Sequence, residues 1–267
     1  MAVEKETAVE INDLVKKFGD RTILNGINLK IPRGEIFVIM GGSGCGKSTL
    51  LRHMIGTLKP DSGRVSVLGQ DITDLYGEEM DDIRKKVGMS FQSSALFDSM
   101  TVGENVSLPL REHTKLEKNV IEIMIKMKLE LVGLRGFEDL IPSELSGGMK
   151  KRVGLARAIA MDPQIVFYDE PTAGLDPIVA AVIGRLILDL SKKLNITSIV
   201  VTHDMKSVRS IADRIAMLYE GKVLEVGTPA EIQGSSNGIV QQFIKGDYDG
   251  PIRFFQQKDD YLEQLTK

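Results

Sequence analysis

The stretch Gly41–Ser48, with the sequence GGSGCGKS, fits the pattern G-x-x-x-x-G-K-[ST]. The apolar run Ile36–Met40 comes directly before it, and the helix-compatible run LLRHMIGTL at 50–58 follows it. In such a strand-loop-helix context, glycines let backbone N–H groups turn toward phosphate oxygens, and the helix N-terminus adds the positive end of its dipole. We therefore predict a site for nucleotide phosphates made by Gly41, Gly42, Ser43, Gly44, Cys45, Gly46, Lys47, Ser48 and Thr49.

Three side chains of this loop have more specific predicted roles. Lys47 is expected to neutralise charge on the β- and γ-phosphates, and the Ser48 hydroxyl is expected to ligate Mg²⁺. Cys45, the only cysteine of the chain, is interpreted as a small spacer rather than a regulatory thiol. Its position near a helix N-terminus predicts a lowered thiol pKa. A purely structural glycine turn is the alternative to a phosphate site.

Two consecutive carboxylates end a second apolar run, IVFYDE at 165–170. Ligands of open α/β sheets sit at the carboxyl ends of the strands, and successive strand side chains point to opposite sides, so the two acids need not share one task. Asp169 is predicted to hold Mg²⁺, and Glu170 to polarise the attacking water as a general base. The alternative is a charged pair that only caps the next helix. His203, just after the run Ile196–Thr202, is either near the γ-phosphate or an ordinary surface residue.

The composition is that of a globular protein, with 267 residues, 42% of them hydrophobic, and a mean hydropathy of -0.03. Lys and Arg number 34 against 37 Asp and Glu, and this net charge of -3 argues against a nucleic-acid partner. With one cysteine and no signal-peptide pattern, the chain is expected in the reducing cytosol. Its apolar runs are shorter than the roughly 18 residues that span a bilayer, so a partner is expected to supply any membrane span.

Short β-branched runs alternate with helical patterns, which predicts a mostly parallel α/β core. Buried core strands are predicted at Ile36–Met40, Val87–Phe91, Ile165–Tyr168 and Ile196–Val201. Runs with more alternation predict a smaller antiparallel sheet from Val9–Val15, Thr22–Leu24 and Ile27–Ile31. Strand signals disappear between Ser93 and Met161, where Val120–Val132 fits a helix. We therefore expect a helical insertion there, and a tail after Gln233.

A second glycine motif, Ser146-Gly147-Gly148, also opens a helical pattern and so predicts a second anion site. It lies in LSGGM at 145–149, which is followed by KKRVGLARAIAMDP at 150–163 and IVFYDEPTAGLDP at 165–177. Over about residues 8–233, these motifs closely resemble the ABC transporter ATPase family in order and spacing. The resemblance implies a P-loop α/β fold with a RecA-like catalytic core and antiparallel β subdomain at 1–92 and 162–233, a helical subdomain at 93–161, and a C-terminal extension at 234–267.

The resemblance also implies roles for single residues at matching positions. Phe18 corresponds to an aromatic residue that stacks on adenine, and Gln92 to a glutamine that contacts the metal and links the core to the helical subdomain. Asp176 corresponds to the aspartate of the D-loop, and His203 to a switch histidine at the γ-phosphate. Three positions depart from the family pattern: Phe18 where Tyr is commoner, Gly42 for a frequent Pro, and Met149 for the usual Gln. Met149 removes one polar contact, which could weaken nucleotide affinity or slow hydrolysis.

The family resemblance implies a homodimer. Two subunits would pack head to tail, each signature loop Ser146–Gly148 capping the γ-phosphate held by the opposite P-loop, and such a two-fold pair closes around two ATP molecules. Hydrolysis would loosen the pair. Gln92 would relay the change to a membrane permease docked near Ser93–Pro109, although a core glutamine with no relay role is an alternative.

Two segments resemble one group of proteins within this family. PLREHT at 109–114 and the tail from Gln242 to Pro251 look like those of ATPase subunits of Mla-type, MCE-associated lipid transporters. This implies phospholipid cargo, outer-membrane lipid asymmetry, and a place at the cytoplasmic face of the inner membrane of a Gram-negative bacterium. Implied partners are an integral-membrane permease, an MCE-domain lipid-binding protein and, in some systems, a small STAS-domain subunit. The tail residues Ile252, Phe254, Phe255 and Tyr261 suggest that it reaches the neighbouring ATPase subunit.

Other interpretations stay open at this point. PLREHT fits a solvated charged helix end, and the tail fits a helix packed on its own domain. An ABC importer or exporter for another cargo would have nearly the same sequence. A soluble ABC ATPase of DNA repair or translation is also conceivable, although the long coiled-coil insertions or fused second ATPase half usual there are not seen in the sequence.

Overall fold

The structure is a computed structural model that describes residues 6–252. Ten strands occur in this part of the chain: β1 (Thr7–Phe18), β2 (Arg21–Pro32), β3 (Ile36–Met40), β4 (Ser62–Val67), β5 (Gln70–Asp71), β6 (Val87–Ser90), β7 (Ile165–Asp169), β8 (Thr197–Thr202), β9 (Arg214–Tyr219) and β10 (Lys222–Gly227). Nine α-helices accompany them: α1 (Lys47–Met54), α2 (Gly77–Arg84), α3 (Val102–His113), α4 (Lys118–Leu131), α5 (Gly147–Ala158), α6 (Pro177–Leu194), α7 (Met205–Arg209), α8 (Pro229–Gln233) and α9 (Gly238–Lys245). None of the helices within residues 6–252 is both long and apolar enough to cross a bilayer.

The central sheet has six strands in the order β10-β9-β3-β8-β7-β6. All neighbours pair in parallel except the edge hairpin of β9 and β10. The predicted strand Ile36–Met40 is found with these bounds, and each of its five residues is buried. Since β8 lies between β3 and β7, the segments that follow these three strands meet at one edge of the sheet.

Strand β3 separates two hydrophobic cores. Val38 and Met40 face a core shared with helices α3 to α6, while Phe37 and Ile39 face one shared with the N-terminal sheet and α1. This opposite orientation follows from the period of two along a strand. A strand covered on both faces has no position for an exposed polar side chain, which explains its uninterrupted apolar sequence.

The N-terminal sheet is antiparallel, with the order β2-β1-β4-β5. The prediction of separate strands at Thr22–Leu24 and Ile27–Ile31 is wrong, because β2 runs unbroken past Gly26, whose φ is 69°. Gly26 permits this positive φ without steric cost, so the strand bends there instead of ending. The α/β architecture with a front antiparallel sheet and a mixed core sheet is confirmed.

Residues 93–161 contain helices and no strand. The helix predicted at Val120–Val132 is found as α4, Lys118–Leu131. Helix α3 begins with a capping box, in which Thr101 and Glu104 each accept a hydrogen bond from the other's backbone N–H. Helices α3 and α4 both pack on α5, so α5 lies at the centre of this helical segment.

The tail after Gln233 begins with a folded helix. In α9, Val240 is fully buried in the helical-side core, and Gln242 is also buried. The Gln242 side chain donates to the carbonyls of Asp247, Tyr248 and Ile252 and accepts a 2.6 Å bond from the N–H of Ile252. Residues 246–252 are therefore folded back onto α9. Of the tail residues predicted to reach a neighbour, Ile252 lies half-buried on its own chain; Phe254, Phe255 and Tyr261 lie outside the described residues.

Candidate nucleotide site

The loop between β3 and α1 has the geometry of an anion site. Its last residue, Gly46, caps α1 with a φ of 107°, which an L side chain rarely adopts. A Cβ on Gly41 would lie 2.1 Å from the Leu218 carbonyl oxygen, so only glycine fits there. The first α-helical bond of α1 runs from the N–H of Leu50 to the Gly46 carbonyl. The N–H groups of the first helical turn are consequently available to an anion.

The side chain of Lys47 is held inside this loop. Its ammonium donates to the carbonyl oxygens of Gly41 at 2.7 Å and Gly42 at 3.0 Å, and the residue is only 8% exposed. Two of its three N–H donors are thus used to fix the lysine, and the third is available for a phosphate oxygen. Gly42, where a proline is frequent in the family, contributes here through its backbone carbonyl.

Phe18 lies beside the P-loop, as an adenine-stacking residue requires. It ends β1 and is 51% exposed, and it lines a cavity of about 290 Å³ together with residues of the P-loop. The Lys16 ammonium is 5.5 Å from the centroid of its ring and is paired with Asp61. The sequence analysis missed Arg21 and Ile23, which also line this cavity; the Gly19-Asp20 turn before Arg21 was the available signal.

Asp169 ends β7 and Glu170 follows it, at the same edge of the sheet as the P-loop, the loop Gly41–Ser48. Asp169 Oδ1 is buried and has no hydrogen-bond partner among the described residues. Burial, reinforced by the adjacent charge of Glu170, raises the pKa of Asp169, while Lys47 lowers it. A buried acceptor left without a donor fits a carboxylate that binds a cation. The residues present therefore fit Mg²⁺, with Ser48 at the first turn of α1 as a second oxygen ligand.

The carboxylate of Glu170 is held at both oxygens by residues at the end of β8. Thr202 donates its hydroxyl to Oε2 at 3.1 Å, and His203 Nδ1 lies 2.9 Å from Oε1. The backbone of Glu170 has a φ of 44°, and its N–H donates to the Val201 carbonyl. A non-glycine residue in this region of φ is strained, and the surrounding bonds maintain it. The structure thus brings Glu170 and His203 together.

The remaining predicted residues lie at more exposed positions. Gln92 is exposed two residues after β6, and its carbonyl accepts a bond from Lys151, a contact that the sequence analysis missed. Ser146 caps α5 and Asp176 caps α6, each accepting from backbone N–H groups of its own helix. The signature loop Ser146–Gly148 is not among the residues that line the cavity beside Phe18. The two helix N-termini predicted to bind anions, those of α1 and α5, are therefore separate in one chain.

The prediction of a lowered thiol pKa for Cys45 is wrong. Burial raises the pKa of this thiol, and the charge of Lys47 opposes the shift only in part. The thiol is 8% exposed and packs within the core under the N-terminal sheet. Because Cys45 packs in an apolar core, desolvation of the thiolate outweighs the charge of Lys47 and the backbone hydrogen bonds that favour the ionised form.

Comparison with known proteins shows which family has this sequence and fold. A family model described as ABC transporter matches residues 24–173. The chain belongs to the ABC transporter family. It is 47% identical to the intermembrane phospholipid transport system ATP-binding protein MlaF of Haemophilus influenzae, over 97% of this chain and 98% of that protein. A probable ribonucleotide transport ATP-binding protein, mkl of Mycobacterium leprae, is 41% identical over 95% of this chain and 73% of that protein.

A solved structure extends the likeness to the fold. The dimeric, post-hydrolysis state of an ATP-binding cassette bound to ADP and Pi superposes with a TM-score of 0.76 at 34% identity, covering 83% of this chain and 98% of that one. This ABC ATPase therefore has the cassette architecture that the family resemblance implied.

Proposed function

We propose that this chain is the ATP-hydrolysing subunit of an ABC transporter that moves phospholipid and maintains outer-membrane lipid asymmetry. The observation that carries the chemistry is the Oδ1 of Asp169, which is buried without a partner among residues 6–252 at the sheet edge where the P-loop and Glu170 also lie. An oxygen in that position is suited to a cation that accompanies a nucleotide phosphate. The cargo is proposed from the likeness to MlaF.

The proposed roles follow from the positions of the side chains. The α1 N-terminus and Lys47 bind the β- and γ-phosphates, while Phe18 offers a ring face to adenine. Asp169, Ser48 and Gln92 are the residues that would hold Mg²⁺, which supplies charge neutralisation at the phosphates. Glu170 accepts the proton of the attacking water, and His203 orients its carboxylate by the 2.9 Å contact and contacts the γ-phosphate.

The chain is proposed to work as a homodimer. The signature loop Ser146–Gly148 opens α5 at an exposed position and does not line its own chain's nucleotide cavity, so a second copy is the proposed source of the nucleotide that it caps. Asp176 lies at the exposed start of α6 and would approach the same interface. The related cassette is dimeric with ADP and Pi bound, which supports this arrangement.

A groove between β6 and α3 is the proposed docking site of the permease. It has a volume of about 380 Å³ and is lined by residues of both elements, with Phe91 and Phe97 exposed by 44% and 48%. Two exposed aromatic rings at one groove are suited to an apolar segment of a membrane partner. We propose residues 93–161 as one helical subdomain, 1–92 with 162–233 as the catalytic core, and 234–267 as an extension. The ATPase is proposed to lie at the cytoplasmic face of the inner membrane, with an MCE-domain protein and, in some systems, a STAS-domain subunit as further members of the complex.

The catalytic proposal is tested by Glu170→Gln. This variant keeps the shape of the side chain but removes the base, so turnover is expected to fall by about 100-fold or more. ATP binding should persist, and size-exclusion chromatography with ATP and Mg²⁺ should show a trapped dimer. Glu79→Gln, an exposed acid on α2, is the matched control. Full turnover in Glu170→Gln would rule out Glu170 as the base.

The cargo proposal is tested by purifying the intact complex from native membranes and identifying both the co-eluting proteins and the bound lipid by mass spectrometry. Phospholipid bound to a permease and an MCE-domain protein is the expected result. The similarity to mkl makes another cargo, such as a ribonucleotide, the alternative. Recovery of a permease with nucleotide cargo, or of no membrane protein, would contradict the phospholipid proposal while leaving the ATPase chemistry intact.

A further inference from the structure

Lys151 is a buried lysine that joins two parts of the proposed site. It lies in the middle of α5, is 8% exposed, and donates from Nζ to the carbonyl of Gln92 at 2.5 Å and to the carbonyl of Glu170 at 3.4 Å. These carbonyls belong to the segments that follow β6 and β7. One ammonium therefore fixes the spacing between the backbones of Gln92 and Glu170.

A lysine is a costly choice at this position if it only fills space. Burial lowers the pKa of Lys151, and the carboxylates of Glu170 and Asp169 offset this effect in part. A methionine would fill a similar volume without an ammonium group to desolvate. The hydrogen bonds to the two carbonyls offset the cost of burying the ammonium. The presence of a lysine here is therefore explained by where its charge lies rather than by the packing of its side chain.

The same face of α5 holds the segment after Gln92. Arg157 donates to the carbonyls of Ser94 at 2.7 Å and Ala95 at 2.8 Å. Ser94 and Ala95 both have positive φ values, 63° and 44°, so this turn is strained and needs external support. Gly154, between the two cations on the helix, leaves space for Ser94: a Cβ there would lie 3.4 Å from the Ser94 Cβ. Residues 92–95 are thus bound to α5 and will move with it.

Helix α5 begins at the signature loop. Ser146, its N-cap, precedes Lys151 by five residues, a rise of about 7.5 Å along the helix axis. Under the proposed function, Ser146 contacts the nucleotide of the opposite subunit, whereas Lys151 contacts the backbone of this subunit's own base. A rigid helix that contacts one site at its N-terminus and the other through Lys151 converts a shift at the first contact into a shift at the second.

We propose that Lys151 is a positioning residue for ATP hydrolysis. When the nucleotide of the opposite subunit binds at the N-terminus of α5 and shifts this helix, Lys151 transmits the shift to the backbones of Glu170 and Gln92. The proposal rests on the proposed roles of Glu170 and Ser146. It adds that each base is aligned only when the opposite site is occupied. Lys151 itself touches backbone and not nucleotide, so its loss should misplace the base without removing a ligand of ATP.

The test compares Lys151→Met, Lys151→Arg and Lys150→Met in the full chain. Lys150 is the matched control, since it is half-buried on the same helix and its ammonium has no partner within residues 6–252. Lys151→Met is expected to lower kcat by about tenfold or more, with the KM for ATP changed by less than about twofold, because only the alignment is lost. It should also bring the Hill coefficient for ATP toward 1. Lys151→Arg should restore most of kcat and the cooperativity.

A second measurement separates positioning from folding. In the Glu170→Gln background, Lys151→Met should still form the ATP-trapped dimer, and its thermal midpoint should not fall. Loss of that dimer or of thermal stability would assign Lys151 a structural role and overturn the proposal. Unchanged kcat and cooperativity in Lys151→Met, beside an inactive Glu170→Gln, would overturn it while sparing Glu170 as base; an active Glu170→Gln would instead overturn the function on which it rests.

Discussion

At the residue scale, Asp169 combines a functional position with an unfavourable environment. Its Oδ1 is buried with no donor in the described part of the chain, and the carboxylate of Glu170 is its sequence neighbour. Both features penalise its ionised form, which is why its pKa is raised. Sites that bind cations often keep such a penalty, because the free energy is recovered when the ligand arrives.

Asp169→Asn is therefore expected to stabilise the nucleotide-free chain at neutral pH. An acid with a raised folded pKa stabilises the fold below its unfolded pKa, and this contribution is lost as pH rises through the folded value. The thermal midpoint should rise by about 1–3 °C at pH 7.5, and the difference should shrink as pH falls below the unfolded pKa of about 3.9, where the aspartic acid is protonated in both states. ATP turnover should be abolished. A lower midpoint at pH 7.5 would contradict this account.

Cys45 allows a second prediction at this scale. Because burial raises the thiol pKa, its alkylation by iodoacetamide should be slower than that of free cysteine at pH 7.5 and should continue to accelerate above about pH 9. Labelling should block turnover, and bound ATP should protect the thiol. Cys45→Ser serves as the unlabelled control. A rate that is already maximal at pH 7.5 would mean that the helix dipole prevails over burial.

At the element scale, α9 and the following turn depend on the close approach of Gly250 to Gln242. A Cβ on Gly250 would lie 2.4 Å from Gln242 Cδ and 2.5 Å from Oε1. Such contacts cannot be relieved without moving the amide that holds residues 246–252. The turn and the helix therefore form one cooperative unit.

Gly250→Ala is expected to release this turn, with a loss of about 1–2 kcal/mol in the free energy of unfolding. Hydrogen exchange should increase at residues 246–252 and remain unchanged in the central sheet. Gly234→Ala is the control, because its φ is ordinary at -86° and its added Cβ would lie 3.5 Å from the nearest atom. Equal exchange in the two variants would remove the role assigned to Gln242.

At the scale of the whole molecule, the tail has two parts with different expected roles. Residues up to 252 pack on their own chain, so a deletion that starts at 246 would also expose α9. Deleting only 253–267 isolates the hypothesis that the tail contacts the neighbouring subunit. This deletion should weaken the ATP-trapped dimer of the Glu170→Gln variant by about tenfold, measured by analytical ultracentrifugation.

A matched control keeps the length of the tail and replaces Phe254, Phe255 and Tyr261 with serine. It should reproduce the effect of the deletion if these side chains supply the contact. Unchanged dimerisation and unchanged lipid transport in both variants would exclude a role of residues 253–267 in assembly.

Much of the fold followed from the sequence wherever one local signal was enough. Strand β3 was predicted with its observed bounds because five consecutive apolar residues require burial on both faces. The β9–β10 hairpin was missed, although its turn has the two positive φ values of a tight hairpin, 45° at Glu220 and 71° at Gly221. Strand β10, at the edge of the sheet, has mixed burial and so carries too weak a pattern for prediction.

In the candidate site, too, some features could be predicted from the sequence and others could not. The P-loop and the Asp169-Glu170 pair are contiguous in sequence, so their chemistry could be inferred from neighbouring residues. The Lys151 contacts could not, because they join residues 59 and 19 positions away that only the packing of α5 brings close. The burial of Cys45 likewise depends on the N-terminal sheet that covers it.

The hold on Glu170 has a consequence for the chain in isolation. Both oxygens of its carboxylate already accept or face a donor, from Thr202 and His203. An attacking water must therefore share these oxygens with the side chains of Thr202 and His203. A subunit that has not met its partners would then turn over nucleotide slowly, and the cell would be spared idle consumption of ATP by unassembled copies.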